Sequence, residues 1–538
     1  MNVNERVEAV RSNAQYLRNV RPIDPEEICE YIDGAPHPAV VRQDLREQAA
    51  DLELLERDDG TFVPVEDEPV PPRREPVTRF PEAYEQRIES FLADRYGPNW
   101  ADGAAGDLLR STIRRFKAQY LEGAPVEYDE DVAAGYAIYH LPGYYAATQY
   151  TIEELADRGL LGRNLRVLDI GAGVGGPALG LADYLPEDAL LEYHAVEPSD
   201  AADVLEELLE ETGRNVHPTV HRTTIETFDP AAASSDTFDP TRPDDGFDLV
   251  LVANVLSELE DPETVLRSAL ELTAPDGAVA AIAPADKQTS IQLRDLERTV
   301  EDDSIATGNT LEWSSDTGSA PNGNSAADAE SAAEAESTPD AEPDRDSGGD
   351  SDTITVYSPS VRLWDGERPT DRGWSFDVRP DLEVPSFQRR LEDAADETDD
   401  AYAPGEFVNV DVQFSHSIFR RDGKRRIDLT LDSGSWAKMA KMDRHVPNRI
   451  DLVAAKMSHS LGDDDAPRSN NPLFKISDGS EHVDHYAVLT RETAMNRALV
   501  EAEYGEVCSF DGALALWNDD EGAYNLVVDE ETIVDRLV

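Results

Sequence analysis

The residues best arranged for ligand chemistry are glycines that follow a buried acidic residue. Asp169 comes at the end of an apolar run, and glycines then occupy positions 171, 173, 175 and 176. The apolar run predicts a strand, and the Ala/Leu-rich segment after the glycines predicts a helix. Glycine suits such a turn because a sharp bend and a close backbone approach to a ligand both exclude a Cβ atom. The start of the helix offers free N–H groups, but this spacing alone is only a weak indication of the ligand.

A second acidic residue ends the next predicted strand. The apolar run from Leu190 ends in Glu197, 28 positions after Asp169, and Pro198 follows. A carboxylate at the end of the second strand of a βαβ unit is placed to accept hydrogen bonds from ribose hydroxyls. A third buried strand is predicted over 246–256. Its carboxyl end, with Asn254, is expected beside the same crevice.

Together, these stretches resemble the class I S-adenosylmethionine-dependent methyltransferases. In that family the glycine turn approaches the amino-acid end of the cofactor, the second-strand acid binds its ribose, and the fourth strand ends near the reacting methyl group. The resemblance implies an α/β, Rossmann-like core and S-adenosylmethionine as cofactor. The cofactor-binding residues that it implies are Asp169, Gly171, Ala172, Gly173, Gly175, Glu197, Pro198 and Asn254. No catalytic side chain is assigned, because the cofactor supplies the electrophile.

A dinucleotide-dependent oxidoreductase is the alternative for the same motif. The glycines here lack the Gly-x-Gly-x-x-Gly spacing that suits a pyrophosphate. The stretch 247–250, Phe-Asp-Leu-Val, before a strand that ends at Asn254 also favours the methyltransferase. An α/β sheet with a degenerate site is the third possibility.

The composition indicates a folded and strongly acidic protein. The 538 residues include 112 acidic and 48 basic side chains, a net charge of −64, yet 40% of residues are hydrophobic, enough for real cores. Such a surface is typical of adaptation to molar salt, as in a halophilic archaeon. The first residues have no apolar signal region, and no apolar stretch reaches about 18 residues, so we expect a cytoplasmic protein. Two cysteines, Cys29 and Cys508, give neither a disulfide framework nor a cysteine-rich metal site, and we expect no metal.

Several domains are expected for this length. The predicted order is a winged-helix-like module over 1–75, a helical lead-in over 80–161, the S-adenosylmethionine-binding core over 162–300, a disordered acidic insertion over 301–352, core completion with a basic hairpin over 353–449, and a small β-barrel over 450–538. A further surface insertion is predicted over 227–246. The third helix of the first module contacts either nucleic acid or another protein, and the sequence favours neither.

One short segment reverses the acidic character of the chain. Five of the seven residues from Arg420 to Arg426 are cationic. Because clustered cations add little solubility to so acidic a chain, we interpret them as phosphate contacts. The predicted RNA-binding residues are Arg420, Arg421, Lys424, Arg425 and Arg426. The C-terminal strands around one helix suggest an oligonucleotide-binding-like barrel, with Lys456, Lys475, Arg491 and Arg497 on its face and with Trp517 and Tyr524 in its core.

The aromatic segment 139–147 before the glycine turn, together with the C-terminal barrel, resembles the ribosomal small-subunit methyltransferase-like assembly factors, known from mitochondria and from bacterial and archaeal relatives. The resemblance covers about 80–300 and, more loosely, 405–538. It implies binding to small-subunit ribosomal RNA during ribosome assembly. Several members carry an iron–sulfur cluster, but the matching stretch here, 414–417, has no cysteine, so we predict no cluster.

The acceptor atom stays open. Attack by pyrimidine C5 requires a cysteine, and neither cysteine lies in the core. The Asn/Asp-Pro-Pro-aromatic loop of exocyclic-amine methyltransferases is also missing, because Asn254 is followed by Val255, Leu256 and Ser257. Ring nitrogens, ribose oxygens and protein acceptors remain. The two alternative functions are a non-catalytic assembly factor that binds RNA and a small-molecule methyltransferase.

Overall fold

A computed structural model describes residues 2–230, 246–311, 353–370, 373–398, 402–432, 434–461 and 471–537. Most of the predicted insertion at 227–246 and most of the acidic insertion at 301–352 lie outside these ranges. None of the helices in the described ranges is long and apolar enough to cross a membrane.

The N-terminal module contains the three predicted helices and the predicted hairpin. Its elements are α1 (Val3–Leu17), α2 (Pro25–Tyr31), α3 (Pro38–Glu47), a short α4 (Ala49–Leu52), β1 (Leu54–Glu56) and β2 (Phe62–Pro64). Asp24 caps α2 as predicted, because its side chain accepts a 2.9 Å hydrogen bond from the amide of Glu26. The module is fixed to the rest of the chain through the Glu56 amide, which donates a 2.8 Å hydrogen bond to Oδ1 of Asn215.

Four helices form the lead-in to the core. They are α5 (Glu82–Tyr96), α6 (Gly103–Glu122), α7 (Glu130–Tyr139) and α8 (Leu141–Ala156). The aromatic segment predicted to be helical is divided between α7 and α8, which meet at His140. Tyr84 and Tyr145 each donate a 2.9 Å hydrogen bond to Asp183, so the lead-in is fastened to the core by polar as well as apolar contacts.

The core is a doubly wound sheet. Its first part runs β3 (Asn164–Ile170), α9 (Gly176–Tyr184), β4 (Leu190–Val196), α10 (Ala201–Leu209), β5 (Val216–His221), β6 (Phe247–Ala253), α11 (Pro262–Leu272), β7 (Thr273–Pro284) and α12 (Lys287–Leu311). The order β5-β4-β3-β6-β7 is parallel throughout. The order therefore reverses between β3 and β6, and ligands of such sheets bind in the crevice outside the carboxyl ends of the strands at that point.

The chain completes the sheet after the acidic insertion. The elements are β8 (Thr355–Ser358), β9 (Asp377–Arg379), α13 (Ser386–Thr398) and β10 (Val412–Arg420). β10 is inserted antiparallel between β7 and β8, and it also pairs with β9. A dinucleotide-binding sheet instead follows the order 3-2-1-4-5-6, so this insertion is a second departure from that alternative.

Two predictions about this region need correction. α12 continues to Leu311, so the segment predicted to be disordered from residue 301 begins as a helix. The basic residues do not form a hairpin tip, because β10 pairs with β7, β8 and β9 and the next strand begins only at Arg449. Two of the acidic residues that pair with the basic segment, Glu154 and Glu301, lie far away in sequence.

The C-terminal part is a closed barrel. It contains a 3-10 helix (Met439–Arg444), β11 (Arg449–Lys456), β12 (Leu473–Ser477), β13 (His485–Leu489), α14 (Ala498–Glu501), β14 (Val507–Asn518), β15 (Ala523–Val528) and β16 (Ile533–Arg536). Five strands close in the order β11-β12-β13-β15-β14-β11, and β16 adds to β14. The helix predicted at 491–499 is shorter and lies at 498–501.

Candidate functional site

The glycine turn lies at the reversal point of the sheet. Gly171, Gly173 and Gly175 have φ values of +70°, +55° and +97°, which favour glycine in all three places. A Cβ on Gly171 would lie 2.7 Å from Val255, and one on Gly175 would lie 2.8 Å from Leu205. At Gly173 the nearest atom would be 3.9 Å away. Gly171 and Gly175 are thus required by packing, whereas Gly173 leaves space in front of the backbone for a ligand.

Glu197 joins the end of β4 to this turn. Its Oε2 accepts a 2.8 Å hydrogen bond from the Gly173 amide, and its Oε1 accepts hydrogen bonds from the amide and the hydroxyl of Ser199 at 2.9 and 2.5 Å. A carboxylate offers about four lone-pair positions. One therefore remains for a ribose hydroxyl. Pro198, predicted beside it, is exposed, whereas Ala172 in the turn is buried.

Asp169 is fully buried near the end of β3. Its side chain is 0% exposed, Tyr193 donates a 2.5 Å hydrogen bond to Oδ2, and Oδ1 has no hydrogen-bond partner. Burial raises the pKa of Asp169 to about 7, and the nearby charge of Glu197 raises it further while the Tyr193 hydrogen bond opposes the shift. A direct contact between Asp169 and a cofactor stays a prediction.

Asn254 ends the fourth parallel strand in a strained conformation. Its φ is +57°, which an asparagine tolerates better than most residues. Its amide donates a 2.8 Å hydrogen bond to the carbonyl of Ile282, which fixes the turn against β7. Strained residues of this kind cluster at ligand sites because the surrounding structure must hold them.

A cavity of about 350 Å³ opens beside Asn254, on the side of β6, β7 and β10. Its volume falls within the usual range of small-molecule sites, about 300–1,000 Å³. The lining comes from five parts of the chain: Phe116, Lys117, Tyr120 and Leu121 on α6, Tyr136 on α7, His140, Gly143, Tyr144 and Ala147 at α8, Asn254, Glu258, Ile282 and Pro284 after β6 and β7, and Asn409, Asp411, Gln413 and Phe414 at β10. We call this cavity the aromatic pocket. Glu197 and the glycines of the turn are not among its lining residues.

Ring contacts hold the aromatic wall of the pocket together. The rings of Phe116 and Tyr136 are 4.6 Å apart, those of Tyr136 and His140 are 4.8 Å apart, and His140 stacks on Tyr144 at 5.3 Å with an interplanar angle of 15°. Burial, with help from the charge of Lys117, lowers the pKa of His140 to about 3. At neutral pH His140 is therefore an uncharged aromatic ring.

Glu258 brings a carboxylate to the mouth of the pocket. Tyr128 donates a 2.7 Å hydrogen bond to its Oε1. The residue as a whole is exposed, but burial of its carboxylate raises the pKa of Glu258 to about 7; the Tyr128 hydrogen bond opposes this shift and the negative charge of Glu197 adds to it. A carboxylate with a pKa near 7 can take up a proton at physiological pH.

The five cations predicted to bind RNA are largely engaged within the protein. Arg420 is 1% exposed and pairs with Asp422 at 2.6 Å, Arg425 pairs with Glu301, and Arg426 pairs with Glu154 at 3.1 Å. Arg421 donates to the carbonyls of Leu270 and Thr273. Lys424 also contacts Asp422, but its side chain is 58% exposed. This geometry favours a structural role for the four arginines, and RNA binding by the segment stays a prediction that is centred on Lys424.

The cations predicted on the barrel face are also paired. Lys456 is buried and donates to the carbonyl of Ala502, while Lys475, Arg491 and Arg497 contact Asp484, Glu530 and Glu492. Trp517, predicted in the barrel core, is 42% exposed and packs its ring 4.7 Å from that of Tyr524. Both cysteines are buried, as predicted.

Of the residues that line the aromatic pocket, only Asn254 was predicted from the sequence as a site residue. Helical periodicity places Phe116 and Tyr136 on predicted helices but does not show which residues they face. Asn409 and Gln413 lie far from both in sequence. The one available signal was the density of aromatic residues at 136–150.

Three family models match parts of the chain. A methyltransferase domain matches residues 168–279, and the N-terminal and C-terminal domains of a domain of unknown function (DUF8157) match residues 7–58 and 440–537. No curated protein matches.

Solved structures match with low identity. The YcgJ protein of Bacillus subtilis is 23% identical over 26% of this chain and 50% of its own, with a TM-score of 0.18. An S-adenosylmethionine-dependent methyltransferase from Clostridium acetobutylicum is 15% identical over 26% of this chain and 50% of its own, with a TM-score of 0.19. A "putative RNA methyltransferase" from Pyrococcus horikoshii is 14% identical over 53% of this chain and 86% of its own, with a TM-score of 0.26. The chain thus spans half the length of the first two.

Residues 168–279 thus match a methyltransferase domain, and S-adenosylmethionine stays the predicted cofactor. The residues fit this cofactor. Gly173 leaves open space before a positive-φ backbone, Glu197 keeps a free lone-pair position, and the buried Oδ1 of Asp169 lacks a partner.

Proposed function

We propose that the protein is a methyltransferase that modifies the RNA of the small ribosomal subunit during its assembly. The observation that carries methyl transfer is that Asn254 lines the aromatic pocket while the next residue, Val255, packs against Gly171, so the pocket and the glycine turn meet at the end of β6. Glu197 would hold the ribose on one side, and an acceptor in the pocket would face the methyl group on the other.

The residues of the chain then contribute by positioning the cofactor and the acceptor. S-adenosylmethionine supplies an electrophilic methyl group on a sulfonium, so the protein has to align the acceptor and keep water away. Glu197, held in place by its hydrogen bond from the Gly173 amide, would accept a hydrogen bond from the ribose, and the turn at Asn254 would lie between the two ligands. The aromatic wall excludes water from the acceptor. Glu258 is placed to accept a proton that the acceptor loses, because it lines the same pocket and has a pKa near 7.

Four features are in keeping with RNA as the acceptor. The closed five-stranded barrel is of the size and strand number of barrels that bind oligonucleotides. Exposed cations also exist in this acidic chain, among them Lys424 after β10 and Lys287 at the start of α12. The three-helix module with its hairpin is compatible with a winged helix that adds a further contact to the subunit. The acidic surface fits binding at molar salt, where repulsion between surface and phosphates is screened.

The test measures methyl transfer from tritiated S-adenosylmethionine in buffers of molar potassium chloride. Small-subunit ribosomal RNA transcribed in vitro, total ribosomal protein and a set of small metabolites serve as separate acceptors. We expect label in the RNA and none above background in the other two. Label in the metabolites alone would identify a small-molecule methyltransferase, and label in the protein would also overturn the proposal.

The non-catalytic alternative gives a different result. It predicts that the protein binds the ribosomal RNA, and retains S-adenosylhomocysteine in calorimetry, without labelling any acceptor. A filter-binding measurement with the same transcript separates this outcome from a protein that binds no RNA at all.

A further inference from the structure

We infer that the aromatic pocket takes a single unstacked nucleobase of the RNA, so that the methyl acceptor is a base and not a ribose oxygen. This inference rests on the proposed function, since it specifies what the same site accepts. Its basis is the juxtaposition of stacked rings with free side-chain amides beside Asn254.

The aromatic wall is suited to a flat ring. Phe116, Tyr136, His140 and Tyr144 form a continuous series of ring contacts between 4.6 and 5.6 Å along one side of the pocket. Enzymes that act on a base hold the extruded ring by stacking on aromatic side chains, and stacking on aromatics contributes about 1–3 kcal/mol per base by alanine substitution.

The pocket also has side-chain amides suited to the polar edge of a base. Asn254, Asn409 and Gln413 line it, and within the described ranges their side-chain amides make no hydrogen bond. Each amide offers both donors and an acceptor. A Watson–Crick edge carries donors and acceptors side by side, so three uncommitted amides can satisfy it where an apolar substrate would leave them unpaired.

One fixed cation in the wall of the pocket weighs against a cationic amine as its occupant. Aromatic cages bind ammonium groups, and the carboxylates of Glu258 and Asp411 would help such a ligand. However, Nζ of Lys117 also lines this pocket, 3.0 Å from the Tyr139 hydroxyl and 4.5 Å from the centre of its ring. A fixed cation in the wall repels a second one but is neutral or favourable towards a base and its phosphate.

The mouth of the pocket offers contacts for the neighbouring backbone. Leu121 is exposed there, and the hydroxyl of Tyr120 donates to Asp286. Lys287 follows directly and is exposed, without an ion pair in the described part of the chain. A base that entered the pocket would place its phosphate near this rim.

The experiment is equilibrium dialysis of radiolabelled adenosine, guanosine, cytidine and uridine 5′-monophosphates against the full chain saturated with S-adenosylhomocysteine. Ribose 5-phosphate, which lacks a base, and N-acetyl-lysine amide, a cationic amine, are the competitors. We expect at least one nucleotide to bind with a dissociation constant of about a millimolar and neither competitor to displace it. Failure of all four nucleotides, or displacement by either competitor, would overturn the inference.

Variants of His140 locate the binding. His140→Leu removes the stacked ring and should weaken nucleotide binding about tenfold, whereas His140→Phe keeps a ring and should retain it within about twofold. The matched control is His482→Leu, an exposed histidine on the barrel. Equal binding by the Leu and Phe variants would contradict a stacking role.

Two readouts separate this inference from the proposed function. The wild type and each variant are first checked for S-adenosylhomocysteine binding. A wild type that does not bind it would overturn the proposed function itself. In the labelling experiment, tritium recovered on the sugar after hydrolysis of the RNA would leave the proposed function intact and overturn the base as acceptor.

Discussion

The amide of Gly173 donates a 2.8 Å hydrogen bond to Oε2 of Glu197, so the glycine turn and the end of the neighbouring strand β4 form one unit. The turn cannot move away from a bound ribose without breaking this bond. The same carboxylate orders Ser199 at the start of the next helix. Cofactor affinity should therefore depend on this one side chain more than on any single glycine.

Glu197→Gln should raise the dissociation constant of S-adenosylhomocysteine at least tenfold, about 1.4 kcal/mol. Glutamine keeps one oxygen but places an N–H₂ group against either Gly173 or Ser199, which both donate. Isothermal titration calorimetry gives the constant. Glu187→Gln, at an exposed position after α9, is the control, and equal affinities of the two variants would contradict a role for Glu197 in binding.

Gly173→Ala should weaken cofactor binding while changing stability little. A Cβ there meets no atom closer than 3.9 Å, and the positive φ costs about 1 kcal/mol in a non-glycine residue. Gly175→Ala should instead lower stability and change cofactor binding little, because its Cβ would lie 2.8 Å from Leu205. Thermal unfolding together with calorimetry separates the two, and a Gly173→Ala variant that binds the cofactor normally would show that the space before it stays empty.

Asp169→Asn should make the stability of the protein less dependent on pH. Burial raises the pKa of Asp169 from 3.8 to about 7 in the folded protein. Between these values the folded state holds the proton and the unfolded state does not, so the stability of the wild type falls as pH rises from about 4 to about 7. The difference in unfolding free energy between variant and wild type should grow by about 2–4 kcal/mol in favour of the variant across that range.

Chemical denaturation at several pH values measures that difference, and other titrating groups cancel because they are common to both proteins. A difference that is the same at pH 4.5 and pH 7.5 would show that the carboxyl group of Asp169 is not buried in the way described.

The residues of the site that could be predicted from sequence are those marked by a pattern in the residues next to them. The glycine spacing, Glu197 and Asn254 each lie at a strand end that the apolar pattern marks, and strand ends converge in a parallel sheet. The pocket escaped prediction because its walls come from α6, α7 and β10, and nothing in the pattern around Phe116 or Gln413 indicates that they meet.

The prediction for the basic segment at 420–426 failed for the same reason, because the residues that contact it are distant in sequence. Its charge was visible in the sequence, but the partners of Arg425 and Arg426 are Glu301 and Glu154, on helices more than a hundred positions earlier. The local excess of cations therefore predicted an exposed basic segment, whereas carboxylates from distant parts of the chain pair with Arg425 and Arg426. The closed barrel was predicted correctly as a class because strand and turn signals recur through the C-terminal part.

Arg420→Ala should destabilise the protein by about 3–5 kcal/mol, because it removes a buried guanidinium and leaves the partly buried Asp422 with only the exposed Lys424. Lys424→Ala, four positions away and largely exposed, should change stability by less than about 0.5 kcal/mol. Denaturant midpoints test both. If the segment binds RNA, Lys424→Glu should weaken binding of the transcript without affecting stability, and unchanged binding would remove this segment from the RNA interface.

Asn254→Gly separates the backbone of this residue from its side chain. Glycine adopts the φ of +57° without strain, so the variant should unfold at the same temperature as the wild type or slightly higher. The amide that faces the pocket is lost, and methyl transfer should fall at least tenfold while S-adenosylhomocysteine binding changes by less than about threefold. Asn254→Asp, which keeps the shape but not the N–H₂ donors, tells whether donation or acceptance matters. Normal transfer by both variants would mean that Asn254 serves only the turn, and that the acceptor is held by the pocket alone.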